Sequence, residues 1–427
     1  MVEFIRYSAT ALMSYQGTWK TDKQKFVGAE YTLGKRTLGP VESDGSGTVS
    51  GSFRAPSGFG DAHMVGLVDA KGDVVAAGSV TLTPLATLRD KTEPQGQFFH
   101  IHVDGLGVGP YTSDYDVLYD NHLLGDVTAV STGGVANFTV RAEGAVGKHT
   151  IQLISGSVEG QPYLNLAQSP FSFRSNYSFT VNVTKGHPVT VSDPLPRPKP
   201  SVGQHLTASI GSGTVGQSFT LTGFGLAPYH SYQLVWDTMA GSRVYGQGYG
   251  AEQVPLGEVS TDAFGQFTKK VQVPNELGGP PHNIQLMDGT KVAGSTTFRI
   301  MPSVVYVPKT VVAGQPFTIK MLGVGWTDYD NIYTVAYDNS AIGYVCGFNS
   351  HGYVKIQLRA SETPGIQYVD LYPSIYKGQQ KMPSLYGLPL LTYDKDHPGD
   401  WLPAFHVVIH VVAKPAVVSG KSSANKA

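Results

Sequence analysis

Apolar and polar residues alternate over short stretches along the whole chain. "FFHIHVDG" (98 to 105), "SFTLTGFG" (218 to 225), "FTKKVQV" (267 to 273) and "FHVVIHVV" (405 to 412) all repeat with period two, the signature of strands with one buried face. Between such stretches stand Asp or Asn beside Gly: "SDGSG" (43 to 47), "DAKGD" (69 to 73), "TDAFG" (261 to 265) and "MDGTK" (287 to 291). These residues supply the positive φ angles of tight hairpins. Short strands punctuated in this way, about seven per hundred residues, predict β-sandwiches.

The pattern is written twice. Sliding the chain by 218 positions lays "VLYDNHLLGDV" (117 to 127) on "VAYDNSAIGYV" (335 to 345), and Leu38, Gly39, Asp44, Gly47 and Pro56 on Leu256, Gly257, Asp262, Gly265 and Pro274. With a one-residue slip, "SYQGTW" (14 to 19) meets "SYQLVW" (231 to 236). A fainter echo at half that period, "VSTDAFGQFTKKVQVP" (259 to 274) against "VSTGGVANFTVRA" (130 to 142), divides each unit into two modules. The expected order is A1 (1–84), B1 (85–187), a linker (188–203), A2 (204–302), B2 (303–414) and a tail (415–427). The residues "HLTASIGSGTVGQS" (205 to 218) have no counterpart ahead of A1, so A1 is expected to lack a first strand. Strand donation by a neighbouring subunit, an upstream segment outside this sequence, or rearrangement of "VEFIRYSATALM" would close that edge. The linker "SDPLPRPKPSVG", with its alternate prolines, reads as an extended spacer joining two stiff pairs into a rod.

Composition narrows the class. Gly (51) and Pro (27) are abundant, which suits strands and turns rather than helices. A formal charge of −1, with 15% charged residues, offers no basic footprint for nucleic acid. The single cysteine, Cys346, excludes a disulfide framework, so the modules must be held by packing. No run of apolar residues is long enough for a transmembrane helix, and the first residues lack the apolar core of a signal peptide.

The succession of strand, "DN" or "DG" turn, "TDxxGxFxxxVxVP" and "HxIxL" resembles the immunoglobulin-like repeats of bacterial and archaeal extracellular proteins, surface-layer and adhesin stalks among them. The resemblance implies an all-β chain of four tandem immunoglobulin-like sandwiches in A-B-A-B order. It is specific for fold and says little about role.

Candidate chemistry is sparse. "GSGTVG" (211 to 216) matches a dinucleotide fingerprint but runs into the strand pattern "QSFTLTG", with no helix to hold a pyrophosphate. "HIH" (100 to 102) puts two imidazoles on one strand face without a visible third ligand. His63, His149 and His282 recur ahead of equivalent strands, which points to a structural bond to nearby backbone. The loops "SDYD" (113 to 116) and "TDYD" (327 to 330) offer Asp114, Asp116, Asp328 and Asp330. With Asp120 and Asp338 of the YDN phrases they can compose oxygen sites for calcium or simply cap turns. The B modules carry long aromatic loops, 154 to 177 and 372 to 403, beyond the usual length for compact domains. Their Tyr163, Phe171 and Phe173 can converge with Tyr111 and Tyr115, and Tyr376, Tyr386, Tyr393 and Trp401 with Trp326 and Tyr329. Such aromatics either stack on sugars and partner surfaces or pack against the neighbouring module.

No catalytic motif emerges, and no cofactor other than calcium is implied. The expectation is a non-enzymatic extracellular or cell-surface protein, a protomer of a surface layer, sheath, filament or adhesive stalk. Its partners would be copies of itself, neighbouring surface proteins or glycans. The rival readings are a carbohydrate-binding accessory region of a secreted enzyme and an immunoglobulin-like protein of a virion surface.

Overall fold

A computed structural model describes residues 1–14, 25–109, 112–155, 157–158, 161–162, 164, 176–242, 248–327, 329–377, 384–385, 388–397 and 401–415. Every regular element among them is a β-strand. The first unit opens with β1 (Val2–Ser14), β2 (Lys25–Gly39), β3 (Asp61–Val68) and β4 (Val74–Leu82), which form one four-stranded sheet in the order β2-β1-β3-β4.

The chain then builds a sandwich from β5 (Leu85–Leu88), β6 (Thr92–Pro94), β7 (Phe98–Asp104), β8 (Asp114–Tyr119), β9 (His122–Thr128), β10 (Val135–Arg141) and β11 (Gly147–Ser155). The two-residue β12 (Ser157–Val158) and β13 (Gln161–Pro162) pair with each other, and β14 (Tyr177–Thr184) completes the set. A three-stranded sheet, β10-β7-β5, faces a five-stranded one, β6-β14-β11-β8-β9, in which β6 runs parallel to β14. This strand order, with the first strand split between the two sheets, is immunoglobulin-like. Inward residues such as Phe99, Ile101, Val117, Ile151 and Val181, all at most 2% exposed, fill the space between the sheets. They alternate with outward polar residues because successive side chains of a strand point to opposite faces.

The second unit follows β15 (Val191–Ser192). The strands β16 (Ser201–Val202), β17 (Leu206–Ala208), β18 (Ser212–Thr214), β19 (Ser218–Gly223), β20 (Ser231–Ser242), β21 (Gly248–Ser260), β22 (Phe267–Gln272), β23 (His282–Asp288) and β24 (Lys291–Met301) close a second sandwich, β16-β17-β19-β22 against β18-β24-β23-β20-β21. A third comprises β25 (Ser303–Tyr306), β26 (Thr310–Val312), β27 (Pro316–Leu322), β28 (Ile332–Tyr337), β29 (Ser340–Cys346), β30 (Val354–Arg359) and β31 (Gly365–Ser374), then the short pair β32 (Tyr376–Lys377) and β33 (Ser384–Leu385), and finally β34 (Phe405–Val412). The nucleotide-like "GSGTVG" is the parallel strand β18 and its turn, and β19 follows it. Each sandwich has its own apolar core, whereas no core cluster among the described residues includes a residue of the β1–β4 sheet.

Equivalent backbone bonds recur 218 residues apart. Gly60 N–H donates to Leu106 O (2.8 Å), and 218 residues on Gly278 N–H donates to Val324 O (3.1 Å). Of "SYQGTW" only Ser14 lies among the described residues, and it does not pair as Ser231 of "SYQLVW" does. Ser14 pairs with Lys25 at the far end of the β1–β2 ladder, while Ser231 pairs with Ser260 at the base of β20.

The rod expected from the proline-rich linker does not form. Val191 and Ser192 pair antiparallel with His406 and Phe405, Thr190 Oγ1 accepts from Val408 N–H (3.0 Å), and Asp193 exchanges two bonds with the backbone of Ala404. The start of the linker is a two-residue edge strand of the last sandwich, possible because residues 190–193 precede the first of the close-set prolines at Pro194. The consequence is that the two B modules lie against each other. Ala336, Tyr372, Leu391 and Ala404 of the last sandwich join the core of the β5–β14 sandwich.

Candidate functional site

The junction of the two B modules is where charged side chains are buried. Arg141, at the end of β10, has no exposed surface. It donates to Asp370 of β31 (2.8 Å) and to Val407 O (3.3 Å), and its guanidinium lies 4.6 Å from the Tyr368 ring centroid. Burial works to raise the Asp370 pKa, but the facing His406 and Arg141 outweigh it and hold the carboxyl below its ordinary value. Asn339 Nδ2 donates to Arg141 O (2.8 Å), so the YDN turn of one sandwich recognises the backbone of the other. Glu143, 1% exposed, has its carboxyl pushed well up by burial and by Asp370, and only partly relieved by Arg141.

Beside this ion pair, the long loop of the last sandwich extends the β5–β14 sandwich. Asp126 N–H donates to Pro389 O and Leu391 N–H to Asp126 O, both at 2.8 Å, so residues 389–391 form a single parallel bridge to the edge of β9. Asp396 caps the neighbouring turn. Its carboxylate accepts from Thr128 Oγ1 (2.6 Å), Val130 N–H (2.8 Å) and Ser131 N–H (2.6 Å). An edge strand that would otherwise offer unpaired backbone groups is thereby covered.

A cleft of about 690 Å³ opens between the modules. Its floor is the outer face of β10-β7-β5, with His100, His102, Asn137 and Thr139, and its wall is the docked loop with Tyr393 and Lys395. His102 Nδ1 meets Asn137 Oδ1 at 2.9 Å. The period-two alternation of "HIH" turns both imidazoles to this face while Ile101 enters the core.

The candidate aromatics separate into three groups. Tyr115, Trp326, Tyr329 and Tyr393 are buried, at 0, 3, 3 and 2% exposure, and present no stacking face to solvent. Tyr115 sits in the core with its ring edge-on to Tyr177. Trp326 packs with Met239 and Leu277 between A2 and B2, and Tyr393 joins Leu390 and Leu402 and donates its hydroxyl to Tyr329 O (3.1 Å). Trp401 is half-buried, and Tyr376 contributes its backbone to a two-residue ladder. Tyr111, Tyr163, Phe171, Phe173 and Tyr386 lie outside the described residues, as does Asp328.

The acidic candidates do not converge on one site. Asp120 and Asp338 take positive φ angles of 48° and 47° in two-residue Asp-Asn turns. Their carboxylates accept from Thr150 N–H (2.8 Å) and Tyr368 N–H (2.9 Å). Asp330 Oδ1 accepts from Thr327 N–H (2.8 Å). The equivalent slot in the first unit is filled from the opposite side, by Asp61, whose Oδ2 accepts from Val108 N–H, Gly109 N–H and Thr112 Oγ1. Where one unit has Asp61 and Thr112, the other has Gly279 and Asp330, 218 residues on, so one carboxylate caps the same loop in each.

Asp114 and Asp116 do cluster, joined by Asp126, which sits directly across the ladder from Asp116. Asp116 is fully buried with neither oxygen hydrogen-bonded, and burial followed by the charge of Asp114 pushes its pKa up to about 7. Among the described residues no three His, Cys, Asp or Glu side chains are arranged to hold a metal ion.

The recurring histidines act on backbone. His63, His149 and His282 place Nε2 at 2.8, 2.7 and 2.7 Å from Phe59 O, Ala145 O and Leu277 O, and in B2 Gln367 Nε2 donates to Thr363 O in the same role. Sequence reading passed over Arg141, Asp370, Asp396 and His406. The available signal was a lone charge inside an apolar strand, as in "YVDLYP" (368 to 373).

No family model and no curated protein matches the chain. Solved structures show faint likeness. The ectodomain of the teleost fish polymeric Ig receptor is 13% identical over 51% of this chain and 98% of its own, with a TM-score of 0.19. SGBP-B of the Bacteroides ovatus mixed-linkage glucan utilization locus, in complex with a mixed-linkage heptasaccharide, is 11% identical over 72% of this chain and 63% of its own, also at 0.19. The ICAM-5 D1–D4 ectodomain fragment is 13% identical over 90% and 91%, at 0.16. Likeness at this level carries no weight for the role of this chain, and its immunoglobulin-like character rests on its own sheet order. Among the described residues no helix is long and apolar enough to cross a membrane.

Proposed function

We propose that the chain is a non-enzymatic structural or adhesive protein of an extracellular surface, a protomer of a layer, sheath, filament or stalk. One observation carries the reading: the two B modules are fixed side by side by the buried Arg141–Asp370 pair and by a backbone bridge from residues 389–391 of one to the edge of the other. Breaking one partner of a buried pair is costly, so this junction behaves as a rigid joint. Rigid multi-module blocks suit load-bearing or repeated display, in which contacts multiply without new chemistry. The test is imaging of the purified protein across a range of concentrations. Ordered sheets, sheaths or filaments are expected, and a protein that stays monomeric at every concentration contradicts the proposal.

A second reading is favoured by the cleft. Its floor of imidazole, amide and hydroxyl groups beside an apolar wall is the mixture that orients a sugar, so the rival function is glycan binding between the B modules. A polysaccharide panel with the unaltered protein and with His102→Ala decides it. Retention that the substitution abolishes selects the glycan reading.

A further inference from the structure

The β1–β4 sheet is half of a sandwich, and the second unit shows what the other half looks like. Val2 pairs with Leu67 and Phe4 with Val65, as Leu234 pairs with Leu286 and Trp236 with Ile284. A bulge falls between Val2 and Glu3 opposite Gly39, and another between Leu234 and Val235 opposite Gly257. His63 stands across from Val80 as His282 does from Phe298. Strand β1 therefore occupies the place of β20 from Leu234 onward. Residues 2–4 lie between β2 and β3 and do not close a sheet edge, so more than one strand is without a counterpart.

In the second unit this sheet is covered by β16-β17-β19-β22, and Ile284, Leu286, Phe298 and Ile300 are all 0% exposed. In the first, Val65, Leu67 and Leu82 are only half-buried and Val80 is 40% exposed. Every residue of β4 but the last is exposed. The segment equivalent to β22 is present and begins with the same turn. Asp44 Oδ1 accepts from Ser46 and Thr48 N–H, as Asp262 Oδ1 does from Phe264 and Gln266 N–H. Yet it forms a single bridge, Ser43 to Val49, and no ladder. Val49 and Phe53 are each 36% exposed, against 8% and 7% for their counterparts Phe267 and Val271. The missing neighbour is the strand that β19 supplies in the second unit.

We propose that this face is an acceptor for a block of β-strands of the kind that residues 201–233 lay on their own sheet. The described residues contain two such sheets and one covering block, residues 201–233, which is already engaged on its own sheet. The engaged block states the chemistry of the occupant. It needs a strand antiparallel to residues 48–53 with alternate apolar side chains turned inward, as Phe219 and Leu221 are, and a second small-and-apolar strand such as that bearing Leu206 and Ala208. It also needs a short segment parallel to the end of β4, in the role of β18 on β24. Backbone ladders would supply affinity and the alternate side chains specificity.

The probe is a synthetic peptide of residues 201–233 added to the full chain, read by amide hydrogen exchange. Binding is expected to slow exchange at residues 48–53 and in β4 by at least about a hundredfold at saturation, with residues 267–301 unchanged. A peptide carrying Phe219→Asp and Leu221→Asp should do neither. A second form of the test joins residues 201–233 directly ahead of Val2, the register position of Leu234. That chain is expected to show the same protection without peptide and to bind none. If neither arrangement protects β4, or if the chain instead dimerises through this face and the peptide does not compete, the proposal is wrong.

Discussion

At the scale of single residues, the carboxylates divide by what meets them. Asp120 sits at positive φ with one oxygen on Thr150 N–H and the other 2.6 Å from His149 Nδ1, so Asp120→Ala should cost about 1 kcal/mol in a thermal melt and leave the fold intact. That role was legible, because Asp-Asn between two strand patterns is hairpin chemistry. Asp116 was named for the wrong company. Its neighbours are Asp114 and Asp126, not Asp120, because the strand pairing sets Asp116 against Asp126. Its folded pKa of about 7 lies above the unfolded value. The stability it contributes is therefore full below the ordinary carboxylate range and is lost as the pH rises through about 7. Asp116→Asn, which stays neutral, should flatten that decline, with a gain on the order of 1–3 kcal/mol near pH 8 relative to acid conditions. Denaturant titrations across pH check it, and parallel stability profiles for the two proteins would contradict the assignment.

At the scale of elements, the period-two alternation located the strands, and the 218-residue echo located their order, because inward positions and Asp-Gly turns are fixed by local chemistry. Register was less legible. Four matching residues in six set Ser14 on Ser231, whereas the pairing of Val2 with Leu67 and the shared bulge set Val2 on Leu234. The exchange of Asp61 and Thr112 for Gly279 and Asp330 was equally hidden, since it conserves a contact and neither residue. The docking of residues 389–391 on β9 depends on Gly125, where an added Cβ would collide with the Pro389 carbonyl oxygen. Its counterpart Gly343 faces open space. Gly125→Val should therefore lift the loop and raise exchange of the Asp126 and Leu391 amides by tenfold or more, while Gly343→Ala leaves both unchanged. Equal effects of the two substitutions would show that the contact is not what holds the loop.

At the scale of the whole molecule, the sequence suggested a rod because prolines stiffen a linker, and the contacts that fold the units together carry no pattern of their own. Arg141 and Asp370 are 229 residues apart, and the pair is not repeated: the 218-residue shift lays Arg141 on Arg359 but Asp370 on Gln152. Arg359 turns instead to Gly314 O, so the junction uses one face of each B module and different residues on each. The last prediction concerns this joint. Arg141→Glu would bury a carboxylate beside Asp370 and Glu143 and remove the guanidinium that pairs with Asp370, at a cost of several kcal/mol. Ala336, Tyr372, Leu391 and Ala404 of the last sandwich reach the β5–β14 core, but each sandwich also keeps a large cluster of its own, so each should stay folded while the pair opens. Solution scattering is expected to show a larger radius of gyration for Arg141→Glu at unchanged far-ultraviolet circular dichroism. The exchanged pair Arg141→Glu with Asp370→Arg should restore part of the compact form, because it returns one charge of each sign to the same cavity. An unchanged radius in the single variant would mean that the bridge at residues 389–391 and the linker at 190–193 hold the modules together without the ion pair.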